Sequence, residues 1–178
     1  MTQTNGKKCL IAYYSRKGAN YVSGSIVNLP VGNTEVVAKM IQEPVGGDIF
    51  EIDTIQPYPK DYTETTEVAQ KELRSNARPE LTAHVNNMAD YDMIFLGYPN
   101  WWGTMPMAVF TFLESCDFAG KTIVPFCTHE GSGIGHSESD IAKICPNATL
   151  LKGLAIKGSR VNAAESEISG WLNRAGIL

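Results

Sequence analysis

Short apolar runs that alternate with helically periodic segments constrain this chain more than any other feature of its sequence. Residues 9–14 read Cys-Leu-Ile-Ala-Tyr-Tyr and stop at Ser15; a short run with no polar face is the pattern of a strand buried on both sides. From Asn33 the period changes. Val36, Val37, Met40 and Ile41 recur at helical spacing, Thr34 and Glu35 supply the polar start, and Pro44 and Gly46 supply the stop. The alternation then repeats: a strand at 48–53, a polar helix at 60–75 and a strand at 91–98 around Met93-Ile94-Phe95-Leu96-Gly97. A helix at 106–115 carries Val109, Phe110 and Leu113 on one face, and a strand at 121–128, a helix at 134–144, a strand at 149–156 and an amphipathic helix at 163–175 complete the chain. Strands that alternate with helices in this way form a parallel sheet whose right-handed crossovers cover both faces.

The length of 178 residues suits one domain, and 43% hydrophobic against 19% charged residues is the balance of a globular protein rather than a disordered one. A formal net charge of −4 argues against a nucleic-acid partner. Met1 to Lys8 is polar, the following apolar run is too short for a signal sequence, and no stretch approaches the roughly 20 apolar residues of a membrane span. Cys9, Cys116, Cys127 and Cys145 show no Cys-x-x-Cys pair, and His, Cys and carboxylates show no metal-ligand spacing. The expectation is a cytoplasmic protein with reduced thiols and no membrane association.

In open parallel sheets the ligand lies beyond the carboxyl ends of the strands, near the point where strand order reverses. The loops after the first, third and fourth strands therefore carry the functional signal. After the first come Ser15-Arg16-Lys17-Gly18 and, fourteen residues on, Gly32-Asn33-Thr34-Glu35 at a helix start. Unpaired N–H groups and the helix dipole make such a start a seat for an anion, although Asn33 or Thr34 also suits ordinary N-capping. After the third strand, Gly97-Tyr98-Pro99-Asn100-Trp101-Trp102-Gly103 holds two indoles in a tight loop, as a platform for a flat ligand ring, a hydrophobic plug or a dimer contact. After the fourth, Thr128-His129-Glu130-Gly131-Ser132-Gly133-Ile134-Gly135 allows backbone N–H groups to approach a ligand edge. Taken singly, the first and last motifs are ordinary; their coincidence at converging loops is not.

Together, Tyr14-Ser15-Arg16, Gly32-Asn33-Thr34-Glu35, Pro99-Asn100-Trp101-Trp102-Gly103 and Thr128-His129-Glu130-Gly131-Ser132-Gly133 resemble the flavodoxin family over nearly the whole chain. The resemblance implies a three-layer, doubly wound, five-stranded parallel sheet of order 2-1-3-4-5 and flavin mononucleotide (FMN) as cofactor. It implies that Ser15, Asn33 and Thr34 hold the phosphate, with Arg16 among the cofactor-binding residues. Pro99, Asn100, Trp101, Trp102 and Gly103 would cover one face and edge of the flavin ring, and Thr128, His129, Glu130, Gly131, Ser132 and Gly133 its other edge. One departure stands out. Flavodoxins run from the strand-end hydroxyl residue to the helix-opening Gly-Asn-Thr within a few positions, whereas here residues 17–31 intervene, with Asn20-Tyr21-Val22 and Ser25-Ile26-Val27-Asn28 flanking Ser23-Gly24 as a β-hairpin would.

The function implied is an electron carrier that docks to redox partner proteins. The alternative is an NAD(P)H-dependent FMN reductase acting on a quinone or other small acceptor, and a third possibility is a non-redox relative whose tryptophan loop binds a partner. His129, Glu130 and His136 are the groups near the expected ring with capacity for proton transfer, although a lone histidine beside a glycine loop is more often solvated or capping. No G-x-G-x-x-G fingerprint marks a separate dinucleotide site.

Overall fold

The structure, a computed structural model, describes residues 4–178; for Met1 to Gln3 the sequence reading of a polar start lies outside the described residues. In chain order the elements are β1 (Cys9–Tyr13), β2 (Gly18–Val22), β3 (Ser25–Leu29), α1 (Asn33–Val45), β4 (Asp48–Glu51) and α2 (Tyr62–Arg74). They continue with β5 (Met93–Pro99), α3 (Met107–Glu114), β6 (Thr122–His129), α4 (Ser137–Ile144), β7 (Thr149–Leu150), β8 (Leu154–Lys157) and α5 (Glu165–Arg174). The main sheet is parallel in the order β4-β1-β5-β6, and β7 and β8 both pair with the far edge of β6. Counted along the chain, this is the 2-1-3-4-5 order, with the fifth strand broken in two. The sequence reading of one strand at 149–156 misses that break: after the Leu151 N–H, which still donates to the Ile123 carbonyl at 3.0 Å, the ladder is interrupted, and the Gly153 N–H bonds instead to Glu138 of α4 at 2.6 Å.

Alternate residues of each central strand enter two separate cores. On one face Cys9, Ile11 and Tyr13 join Val37, Ala38 and Ile41 of α1 and Ile168, Trp171 and Leu172 of α5. On the other, Leu10, Ala12, Ile94, Leu96 and Tyr98 meet α3 and Ile141 of α4. Helices therefore cover both faces, which is why β1, β5 and β6 have no polar side. Among the described residues no helix is long and apolar enough to cross a membrane. All four cysteines are free, and burial pushes the Cys127 thiol up to about 12.

Several boundaries differ from the sequence pattern. Pro44 lies inside the last turn of α1 rather than after it, and Gly46 is the C-cap. α4 begins at Ser137, three residues later than the periodicity suggests, because residues 134–136 complete the glycine loop. The hairpin in the first loop is present, with β2 and β3 antiparallel about Ser23 and Gly24. Both turn residues have positive φ, 50° and 89°, as a two-residue hairpin of matching twist requires.

Candidate functional site

The carboxyl ends of β1, β5 and β6 open into two adjoining clefts of about 330 and 350 Å³. Arg16, Asn20, Tyr62, Asn100, Trp101 and Ser132 line both, so they form one elongated space. One end is polar and is bounded by Asn33, Thr34, Thr128, His129 and Glu130, with Pro99 and Tyr21 alongside. The other runs along α2 between Thr65, Thr66 and Ala69 and the loop residues Trp102 and Gly103.

The polar end is built on the start of α1. Gly32 is the N-cap and offers no side chain, which corrects the alternative that Asn33 or Thr34 caps the helix. The Glu35 N–H is instead accepted by Ser15 Oγ at 3.1 Å, leaving the first-turn N–H groups before it without intrahelical acceptors. Gly32 is required here because a β-carbon would lie 2.1 Å from Ser15 Oγ and 2.7 Å from the Arg16 carbonyl oxygen. Thr34 Oγ1 and Thr128 Oγ1 are hydrogen-bonded at 2.8 Å and buried, which ties the helix start to the end of β6. Ser15 thus supports the cleft from beneath and does not line it, and neither do Gly131 and Gly133.

Arg16 is in both clefts, but its Nε donates to the Ala19 carbonyl and its Nη2 to those of Pro59 and Lys60, each at 3.1 Å. It clamps the hairpin to the loop before α2. Asn20 Nδ2 donates to the Arg16 carbonyl at 2.9 Å, and the Tyr21 ring stacks on Tyr62 at 6.3 Å between centroids. The Ser23 N–H at the hairpin tip reaches Glu130 Oε2 at 3.0 Å. The insert therefore roofs the polar end.

The two tryptophans have different surroundings. Trp101 is wedged edge-on against Tyr14 at 5.3 Å and Tyr58 at 5.1 Å, so it plugs the loop from below while lining both clefts. Trp102 is 49% exposed, has a φ of 57° and donates its indole N–H to the Thr66 carbonyl at 2.9 Å. Burial pushes the Tyr14 and Tyr58 phenols up, and for Tyr58 the hydrogen bond it donates to Glu72 adds to this. Both remain neutral supports for Trp101.

Asn100 joins the loops after β5 and β6: its Nδ2 donates to the Gly133 carbonyl and its Oδ1 accepts from Gly103 N–H, both at 2.9 Å. The His136 N–H donates to the Gly103 carbonyl at 2.8 Å, and His136 Nδ1 meets Asp140 at 2.9 Å. His136 is thus a strut between loops and lines neither cleft. The His129 Nδ1 accepts the Gly131 N–H at 2.9 Å, and desolvation lowers its pKa, with Glu130 opposing and Lys157 adding to the effect. Glu130 Oε1 is buried without a hydrogen-bond partner.

Tyr62, Thr65, Thr66 and Ala69 line the clefts and were not legible as site residues. They lie on α2, whose sequence reads as a polar surface helix, and the available signal was Tyr62 as an aromatic directly after its Asp61 N-cap.

The sequence profile of the flavodoxin family matches residues 8–175. Among solved structures, a candidate flavoprotein from Bacteroides eggerthii is 30% identical and has a TM-score of 0.79; the match covers 97% of this chain and 100% of that one. A similar protein from Bacteroides uniformis is 29% identical with a TM-score of 0.72, covering 94% and 99%. A flavoprotein from Lactobacillus acidophilus, solved in complex with FMN, shares the fold at 20% identity and a TM-score of 0.64, covering 92% and 99%. Among curated proteins no relative matches the sequence. The profile match over nearly the full length, on a sheet of this order with its cleft at this edge, shows that the chain belongs to the flavodoxin family.

Proposed function

We propose that this chain binds FMN in the joined clefts and passes electrons through it to redox partner proteins. The observation that carries the proposal is the polarity of the space: open first-turn N–H groups of α1 and a cluster of hydrogen-bonding groups at one end, Trp101 and Tyr62 at the middle shared by both clefts, and Ala69 and Trp102 at the other end. The residues fit the group. An anion is suited by the open N–H groups at the start of α1, and the unpartnered Glu130 Oε1 asks for an O–H or N–H from whatever enters, which a ribityl-phosphate chain carries. Bound FMN supplies the capacity to take and give one or two electrons.

The protein's own part is to hold, orient and shield. Asn33 and the first-turn N–H groups of α1 would take the phosphate. Trp101, fixed by two tyrosines, offers a rigid surface that costs little conformational entropy on binding. Asn100 holds the loops after β5 and β6 at fixed separation, and those loops would flank the ring. The neutral His129, with Nδ1 already accepting a backbone N–H, keeps its remaining ring proton on Nε2 as a donor.

A second reading, an NAD(P)H-dependent reductase of a small acceptor, is favoured by the cleft along α2. Beyond the residues that both clefts share, the far end at Thr65, Thr66, Ala69 and Trp102 is where a second molecule would sit. Titrating the purified protein with FMN, followed by flavin fluorescence, tests binding; unchanged fluorescence at saturating protein would defeat both readings. Anaerobic addition of NADPH to the flavin-loaded protein then separates them. Rapid bleaching of the flavin absorbance identifies the reductase, and a stable spectrum identifies the carrier.

A further inference from the structure

A strand edge is a row of N–H and C=O groups open to another chain, and folded proteins blunt such edges with charge or brevity. The main sheet follows this practice: β4 carries Asp48 and Glu51, β8 ends on Lys157, and β7 is two residues long. The outer strand of the inserted hairpin does not. β2 lies inward against α2, and its Asn20 and Tyr21 line the cleft, whereas β3 pairs with β2 alone and lines neither cleft. Ile26 and Val27 are neighbours and so point to opposite faces of the hairpin, yet both are exposed. β3 reads Ser-Ile-Val-Asn-Leu, and residues 18–34 hold no charged side chain in a chain that is 19% charged. The register decides which backbone groups face outward. Val22 and Ser25 close the two-residue turn, and bonded pairs alternate from there, so Ser25, Val27 and Leu29 are bonded to β2. The N–H and C=O groups of Ile26 and Asn28 point the other way, and among the described residues no hydrogen bond to another element satisfies them. Pro30, which has no N–H, ends the edge.

We propose that β3 is the surface through which two copies of this chain associate, pairing antiparallel with the partner's β3 about a twofold axis at Val27. The strand is self-complementary in that register. Ile26 exchanges both backbone bonds with the partner's Asn28, and Asn28 does the same with the partner's Ile26. Val27 then faces the partner's Val27, and Leu29 the partner's Ser25, on one side of the joined hairpins. Charge selects a second copy as the occupant. With a net charge of −4, two copies repel across most of their surfaces but not along a neutral strip, and an uncharged strip has nothing with which to recognise a charged partner. The contact is one strand wide, so the dimer is weak and reversible. Because β3 lines neither cleft, the pairing takes no residue from the candidate flavin site, and the inference holds whether or not FMN binds.

Sedimentation velocity across about 1–500 μM protein is expected to show a monomer–dimer equilibrium. Val27→Lys sets two like charges directly opposite each other and is expected to weaken association at least about tenfold. Asn28→Pro removes the outward N–H without touching a bond to β2 and is expected to weaken it by about the same factor. Ile49→Lys, an exposed position on the edge of the main sheet, is the control and is expected to leave association unchanged. Far-UV circular dichroism checks that each variant keeps its fold. Register is read by Val27→Cys: the two facing thiols are expected to join as a disulfide, with oxidised glutathione taking the two electrons and leaving as two thiols. Ile26→Cys, opposite the partner's Asn28 and not its own copy, is expected to cross-link at least about tenfold more slowly, and the wild type with its native free thiols is the blank. If Val27→Lys or Asn28→Pro unfolds the chain, the cross-linking rates decide. A monomer at every concentration leaves the edge to a different protein and overturns the inference. So does a dimer untouched by Val27→Lys or Asn28→Pro, weakened by Ile49→Lys, or cross-linked faster through Ile26→Cys than through Val27→Cys.

Discussion

His129 connects the chemistry of the cleft to the stability of the fold. Its ring is half-buried and its Nδ1 holds the Gly131 N–H at 2.9 Å, an interaction only the neutral ring can make. Desolvation lowers its pKa from 6.5, so as pH falls the unfolded chain takes up this proton before the folded one does. The stabilising contribution is therefore present above pH 6.5 and declines as pH drops through the folded-state value. His129→Gln keeps an acceptor but does not titrate. Thermal melts of the two proteins at about pH 7.5 and pH 5.5 are expected to show the wild type losing more of its Tm than the variant; parallel losses would show that the ring proton is not linked to folding. The tryptophans illustrate the same point by contrast. Sequence left open which indole serves a ligand, and the surroundings answer in part: Trp101 is held by Tyr14 and Tyr58, whereas Trp102 depends on one bond to Thr66.

At the scale of elements, the loops after β5 and β6 behave as one piece. Asn100 bonds to both Gly103 and Gly133, and Gly135 passes so close that a β-carbon there would lie 2.1 Å from the Gly103 carbonyl oxygen. Gly135 also has a φ of 60°, so an added methyl group faces a backbone collision and a strained conformation together. Gly135→Ala is expected to cost about 2–4 kcal/mol in chemical denaturation and to separate the two loops; a cost below about 0.5 kcal/mol would show that they are not coupled. The sequence showed that both loops matter because each carries residues that neither helix nor strand periodicity explains. It did not show the joint, since contact between Gly103 and Gly135 depends on tertiary register. Central strands were legible for the opposite reason: burial on both faces writes an apolar run into the chain itself, as at β1, β5 and β6. The broken fifth strand was not, because Leu151 and Gly153 look like strand residues until Glu138 of α4 takes the Gly153 N–H. Tyr62 and Thr66 escaped because a helix lying over a cleft presents the same polar pattern as one lying in water.

For the molecule as a whole, the inserted hairpin is the element the fold does not need. None of the residues of β2 or β3 belongs to either core cluster, and Tyr21, Ile26 and Val27 are 43%, 53% and 36% exposed. The chain also leaves and rejoins the domain at one point, where Gly32 abuts Ser15 and the Arg16 carbonyl. Deleting residues 19–31 leaves Lys17 and Gly18 to span the junction and shortens the closed loop, which favours the variant by about 1–2 kcal/mol of closure entropy. That gain offsets the lost contacts with Glu130 and Tyr62. The sheet order and helical content are therefore expected to survive, with a Tm within a few degrees of the wild type. The roof over the polar end is gone, however, so a ligand seated at the start of α1 loses its shield from water. FMN is expected to dissociate at least about tenfold faster from the variant, since effects of this kind fall mainly on the off-rate, and its fluorescence is expected to become open to quenching by iodide. Stopped-flow release after dilution measures the first and quenching titration the second. A variant that fails to fold would show that the hairpin is structural, and unchanged release would show that it is a surface excursion with no part in holding the ligand.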